Sequence, residues 1–206
     1  MPWIYPGLLW SMPGDEKVIY LTFDDGPVPG PTEFVLDQLQ SASALATFFC
    51  IGDNVRKHPG VFRRILAEGH AVGNHTFNHL KGWNYSVDEY LTNVQMCTDV
   101  MLATAPEGFL AEKLLFRPPY GRITRRQIKA LHARNIVMWD VLTQDYDAGL
   151  SAEKCLTNSI AATRPGSIVV FHDSLKAEQK LTYVLPKLID HFAGKNFVFK
   201  SLPARL

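Results

Sequence analysis

The chain has 206 residues, 47% of them apolar and 20% charged, enough for one domain with a sizeable core. Its 21 Lys and Arg against 20 Asp and Glu leave a formal net charge of +1, which removes the electrostatic signature expected of a nucleic-acid or anionic-membrane partner. A neutral polymer such as a saccharide is the better fit. Three dispersed cysteines, Cys50, Cys97 and Cys155, make neither a disulfide framework nor a thiolate zinc site and are expected as reduced core thiols.

Residues 1–13 are apolar but interrupted by Pro2, Pro6, Gly7 and Pro13, and they lack a basic start. They fit neither a signal peptide nor a membrane span. We expect residues 1–16 as an arm packed on a single domain of residues 17–206. A cytoplasmic location is expected unless a leader has been removed.

Short apolar runs then alternate with helical patterns. Residues 18–23 read as a buried strand. Pro31 opens a helix with Val35, Leu36 and Leu39 on one face. Residues 45–51 read as the second strand. Residues 59–68 read as a helix with Val61, Ile65 and Leu66 inward and Gly69 as its stop. Residues 71–73 form a short third strand. Ser86 and Glu89 make a capping box before a helix with Leu91, Val94 and Met101. Residues 114–117 give a fourth strand. Thr124 and Gln127 make a second capping box, heading a helix with Ile128 and Leu131. Residues 135–141 give the fifth strand, and Ser151 starts a helix with Leu156 and Ile160. Residues 167–172 give the sixth strand after Gly166. Residues 181–192 read as a helix broken or kinked at Pro186, and residues 197–199 as a last strand.

Strands alternating with helices imply an α/β fold with a parallel sheet. Asp24 and Asp25 follow the first strand and His75 the third. Arg117 ends the fourth, Asp145 follows the fifth and His172 ends the sixth. A barrel gathers such C-terminal strand ends around one mouth, whereas an open sheet spreads them along a line. A barrel is therefore expected.

Thr22-Phe23-Asp24-Asp25-Gly26-Pro27 sets two adjacent carboxylates on a turn. Two such groups resist joint ionisation unless a cation sits beside one of them, although Asp-Gly-Pro is also ordinary turn chemistry. His75 and His79 are four apart, so on one helical turn they would share a face and pinch a metal. His58, His70, His132 and His191 read as surface or cap positions, whereas His172 ends an apolar strand. Two His and one Asp leave coordination positions open, the pattern of a catalytic zinc site. An ion there would bring the pKa of a bound water from 15.7 to roughly 7. The second Asp is then free as a base; spacing alone does not say which Asp is which. Arg117, backed by Pro118-Pro119-Tyr120-Gly121, can hold a carboxylate ionised. His172 is placed to act as general acid to a leaving amine.

In order, residues 22–27, the His75 and His79 pair, residues 117–121, Trp139 with Asp145 and Tyr146, and Val170-Phe171-His172 resemble the five motifs of polysaccharide deacetylases, the NodB-homology enzymes of carbohydrate esterase family 4. The resemblance runs from about Val18 to the C-terminus. It implies a single-domain distorted (β/α)7 barrel and one divalent metal ion, usually Zn2+, with Co2+ or Ni2+ as substitutes. It implies hydrolysis of N-acetyl groups on N-acetylglucosamine units, in chitooligosaccharide, peptidoglycan or the free sugar, or of O-acetyl groups in xylan. Residue by residue it implies Asp25, His75 and His79 as metal ligands, Asp24 as base, Arg117 as its orienter and His172 as acid tuned by Asp145. The N–H of Tyr120, beside Pro118, would help hold the oxyanion, and Tyr146 and Val170 would wall the substrate pocket. An N-acetylated saccharide is the implied partner, and a monomer is expected. Three positions depart from the pattern: Leu142 stands where Asp is usual, Tyr146 where Trp is usual and Val170 where Leu is usual.

Other readings use the same residues. Two His and a carboxylate suit non-haem iron oxygenases, but those ride on an antiparallel jelly roll. A small-molecule amidase or imidase rests on fold analogy. A degenerate sugar-binding module rests only on Leu142 and Tyr146.

Overall fold

Residues alternate strictly along the strand Val18–Asp24 (β1), and that alternation divides the molecule into two cores. Ile19, Leu21 and Phe23 point outward, under the helices. Tyr20, Thr22 and Asp24 point inward. In the computed structural model, which describes residue 5, residues 7–131 and residues 136–204, β1 is the central strand.

The other strands are β2 (Thr47–Cys50), β3 (Ala71–Asn74), β4 (Leu115–Phe116), β5 (Val141–Leu142), β6 (Ile168–His172) and β7 (Val198–Phe199). The helices are α1 (Pro31–Ser41), α2 (Gly52–Lys57), α3 (Pro59–Ala67), α4 (Val87–Thr104), α5 (Arg125–Ala130), α6 (Ala152–Ala162) and α7 (Glu178–Ala193). All ladder pairings are parallel, in the order β4-β3-β2-β1-β6-β5. One segment closes the ring by changing partners. Ile136 bridges Phe116 of β4, and the Val137 N–H donates to the Phe116 carbonyl at 2.8 Å. Five residues later the same segment, as β5, pairs with β6. β7 pairs only with Val18 and Ile19 and receives the Leu45 N–H, so it wedges in at the floor. The product is the expected distorted barrel of seven parallel strands.

The outer core lies between sheet and helices: Leu21, Phe23, Phe48, Val169 and Phe171 meet Val35, Leu36, Leu181, Val184 and Leu188. The inner core fills the barrel with Phe49, Leu115, Val137, Ile168 and Leu202. Leu202 is the floor plug, and its N–H donates to Thr47 Oγ1 at 2.9 Å. The arm lies along the seam, where Leu9 bridges Val137 and the Met12 N–H donates to the Gly166 carbonyl. Residues 1–4 and Pro6 of that arm lie outside the described residues, as do His132 and Asn135. Among the described residues no helix is long and apolar enough to cross a membrane.

Several elements differ from the sequence reading. The expected fifth strand is two isolated bridges, a bend at Asp140 and the two-residue β5. The bend has a cause: the Asp140 carboxylate accepts the Ile168 N–H at 2.8 Å and the Ser167 hydroxyl at 2.9 Å, so the backbone turns to serve β6. Helix α7 runs through Pro186 without breaking and starts three residues earlier than expected. The first helix after β2, α2, was not foreseen; six residues carry too short a period to show. His70 is buried against Phe48 and accepts the Ala46 N–H, not at the surface. Both capping boxes are present as expected, Ser86 with Glu89 and Thr124 with Gln127.

Because Leu202 fills the barrel floor, Leu202→Ala leaves a void that neighbouring strands cannot close. We expect it to lower unfolding free energy by about 2–5 kcal/mol, read as a lower denaturant midpoint at unchanged slope.

Candidate active site

The C-terminal ends of β1, β3, β4 and β6 open onto one mouth, and most expected site residues stand there. Asp24 ends β1, and Asp25 follows with φ 83, a left-handed backbone that Asp tolerates better than most residues. The Asp25 carbonyl accepts from Asn54 Nδ2 at 2.7 Å, and the Gly26 carbonyl accepts the Ile51 N–H at 2.9 Å. These bonds hold the turn against the barrel wall.

His75 and His79 are not on a helical turn. β3 ends at Asn74, and residues 75–81 form a loop with Thr76 at φ 63 and His79 at φ 56. The loop folds back so that the two rings lie 5.1 Å apart. Polar side chains the sequence reading passed over enforce this course. Asn93 of α4 accepts the N–H groups of Phe77 and Asn78 on Oδ1 and donates to Asn78 Oδ1, at 2.8, 2.9 and 2.9 Å. Asn74 Oδ1 accepts the Thr76 N–H, and Thr76 Oγ1 accepts the Leu80 N–H. Asn93 carried a signal: it is a polar residue inside the buried stripe Tyr90, Val94, Cys97 and Met101.

The His75 Nδ1–H donates to the Arg117 carbonyl at 2.8 Å, which leaves Nε2 as the bare nitrogen. Burial, chiefly, lowers His75 to about 4, so the ring is neutral at pH 7. Its Nε2 lies 3.8 Å from Asp25 Oδ1, and His79 Nε2 lies 3.1 Å from the same oxygen. Burial raises the Asp25 carboxyl, but the His79 contact and the charges of His172, His75 and His79 outweigh it and bring it to about 2. The donor atoms of Asp25, His75 and His79 all lie within 4.8 Å of one another. Asp25 Oδ1 is buried with no hydrogen-bond partner. An orphaned carboxylate oxygen facing two imidazole nitrogens is a donor set that fits a divalent cation, and two N with one O suits zinc.

Asp24 faces a different partner. Arg117, fully buried at the top of the inner core, donates from Nη1 to Asp24 Oδ1 at 2.7 Å and to Thr22 Oγ1 at 2.8 Å. Its Nε and Nη2 serve the Val137 and Met138 carbonyls, and its plane stacks on Phe49 at 4.0 Å. Burial lowers the Arg117 pKa from its ordinary value, and Asp24 partly offsets that. The two carboxylates are thus separated by environment: Asp24 by a guanidinium, Asp25 by imidazoles.

On the neighbouring strand β6, where His172 is the register partner of Asp24, the His172 Nδ1–H donates to Asp145 Oδ1 at 2.8 Å, and the His172 N–H donates to Asp145 Oδ2 at 2.7 Å. Burial lowers the imidazole, but the Asp145 hydrogen bond and charge, with Asp25 and Asp24, raise it to about 9. Tyr146 stands edge-on to His172 at 4.8 Å, with Lys176 over its ring at 5.4 Å. Val170, paired with Thr22 and Leu142, shares the face of His172 one step deeper and is buried, so it forms floor. Pro118 is buried behind Arg117, while Tyr120 is exposed, has φ 58 and sits 4.5 Å from His79. Gly121, at φ 63, packs on Trp139 where a Cβ would fall 2.8 Å from the indole.

A polysaccharide deacetylase family model matches residues 11–139. The chain belongs to the polysaccharide deacetylase family. A peptidoglycan-N-acetylglucosamine deacetylase of Bacillus cereus is 35% identical over 198 residues, covering 95% of this chain and 70% of that protein. A chitooligosaccharide deacetylase of Azorhizobium caulinodans is 30% identical over 206 residues, covering 92% of this chain and 94% of that protein. Among solved structures, a peptidoglycan N-acetylglucosamine deacetylase superposes with a TM-score of 0.89 at 33% identity, covering 99% of this chain and 95% of that one.

In this member of the polysaccharide deacetylase family, Arg117 is the buried charge whose removal leaves another stranded. Arg117→Met should lower unfolding free energy by about 3–5 kcal/mol, and adding Asp24→Leu should recover most of it. Denaturant titration of both variants checks this.

Proposed function

We propose that this protein is a metal-dependent hydrolase that removes N-acetyl groups from N-acetylglucosamine-containing saccharides. The observation that carries the reading is the presence of two charged couples, Arg117 with Asp24 and Asp145 with His172, at the same mouth as the cluster of Asp25, His75 and His79. The named activities of the Bacillus and Azorhizobium relatives support it.

Asp25, His75 and His79 would hold one divalent ion, Zn2+ by preference, with Co2+ or Ni2+ as substitutes. Such an ion acidifies water and polarises a carbonyl. Asp24, held by the Arg117 Nη1–H, takes the proton of the attacking water. The Tyr120 N–H donates to the developing oxyanion, a contribution of about 2.7–4 kcal/mol for one such donor. His172, protonated by virtue of Asp145, gives its proton to the departing nitrogen. Tyr146 and Val170 bound the acetyl side. Asp24 and His172 thus occupy base and acid roles, the carboxylate bonded to a guanidinium and the imidazole bonded to a carboxylate.

Acetate release tests the reading across N-acetylglucosamine, chitooligosaccharides, peptidoglycan and acetyl-xylan, with chelator and metal add-back. We expect N-acetylated substrates to react, chelation to abolish the reaction and Zn2+ to restore it. Asp24→Asn and His172→Ala should each lose at least about 100-fold in kcat while still binding metal. Full activity in purified Asp24→Asn would refute the assignment, and release from acetyl-xylan alone would point to an O-acetyl esterase instead.

The reaction needs His172 protonated, and its pKa is about 9 in the folded protein. Activity should therefore be present below pH 9 and fall as pH rises through that value. Asp145→Asn leaves burial unopposed by its largest counterweight, so the alkaline limb should move down toward the ordinary imidazole value of 6.5. A kcat–pH profile of both proteins measures the shift.

A further inference from the structure

Asp173 follows the proposed acid, is buried to 1% exposure and has no part in the steps above. Its carboxyl reaches the turn after β1. Oδ1 accepts the Gly26 N–H at 3.0 Å, and Oδ2 accepts from the Thr32 hydroxyl at 2.6 Å. Thr32 Oγ1 in turn accepts the Val28 N–H at 2.8 Å. The Asp173 N–H donates to the Asp24 carbonyl at 3.1 Å. One residue therefore grips the backbone on both sides of Asp25.

The glycine at position 26 follows from the same contact. Gly26 is not among the residues with positive φ, so its backbone does not demand glycine. A Cβ there would fall 2.7 Å from Asp173 Oδ1 and nearer still to Oδ2. The carboxyl occupies the space a side chain would need. Gly26 and Asp173, 147 positions apart, form one joint.

We propose that Asp173 is a positioning residue for Asp25, fixing the left-handed turn that aims the Asp25 carboxylate at His75 and His79. This rests on the metal reading above. A residue that merely stabilised the fold would lower the melting temperature and leave metal affinity alone. A residue that supports a ligand alters affinity, typically by about 10–100-fold when removed.

Zn2+ affinity, read by competition with a chromophoric chelator, tests this on the wild type, Asp173→Asn, Asp173→Ala and Thr32→Val, with the melting temperature of each apo protein recorded alongside. Asp173→Asn retains an acceptor for the Gly26 N–H and supplies a donor to Thr32 Oγ1, so affinity should stay within about threefold. Asp173→Ala should weaken Zn2+ binding by about 10–100-fold. Thr32→Val, which removes the 2.6 Å partner and leaves the carboxyl, should weaken it in the same direction by less. Wild-type affinity in folded Asp173→Ala overturns the inference, as does a loss in Asp173→Asn equal to that in Asp173→Ala. If Asp173→Ala does not fold, Thr32→Val decides: unchanged affinity overturns, weakened affinity supports. A wild-type protein that binds no Zn2+ overturns the metal reading and this inference with it, whereas wild-type binding unaffected by the variants overturns this inference alone.

Discussion

The contact between Arg117 and Asp24 orders the mouth of this barrel. Burying two charges costs several kcal/mol each, and their attraction offsets that only when the remaining donors and acceptors are satisfied. Here Thr22 Oγ1 and the Val137 and Met138 carbonyls take the other guanidinium protons, and Phe49 covers the plane. Those partners lie on β1, on β2 and on the segment that closes the ring. The Arg117 carbonyl also fixes the tautomer of His75. One residue thus couples barrel closure, the setting of Asp24 and the direction of the bare His75 nitrogen.

Around that contact, the titratable groups are driven apart. Asp25 lies at about 2, His75 at about 4 and His172 at about 9. The two imidazoles begin from the same chemistry and diverge because one is buried against a carbonyl and the other against a carboxylate. At neutral pH the mouth therefore holds a neutral imidazole and an imidazolium at once. That combination is the one the proposed reaction calls for, a cation held by neutral imidazole and a proton delivered by imidazolium.

The sequence made the placement of chemistry legible because each polar residue ends an apolar strand, a signal independent of precise boundaries. Asp24, His75, Arg117 and His172 all stand where that rule put them. It misjudged the path between His75 and His79, since a four-residue spacing also fits a loop whose turns are set by Asn74, Thr76 and Asn93, residues distant in the chain or silent in pattern. The fifth strand was overextended because Asp140 bends the backbone to serve β6, a tertiary demand that local hydrophobicity does not encode. Asp173 was visible only as the neighbour of His172. Its meaning depends on Gly26, at the other end of the chain.

Non-glycine residues in left-handed backbone cluster at this mouth: Asp25, Thr76, His79 and Tyr120, with Gln144 beside Asp145. Each such conformation costs on the order of 1 kcal/mol or more relative to a relaxed one. Selection for heat tolerance without selection for turnover should therefore favour glycine at these positions, since glycine takes the same dihedrals without penalty. Two of the five supply atoms to the cluster, and the Tyr120 ring packs at a tilt against one of them, His79. Laboratory evolution toward a hardier protein would thus erode this centre first, and a screen would have to monitor acetate release to notice.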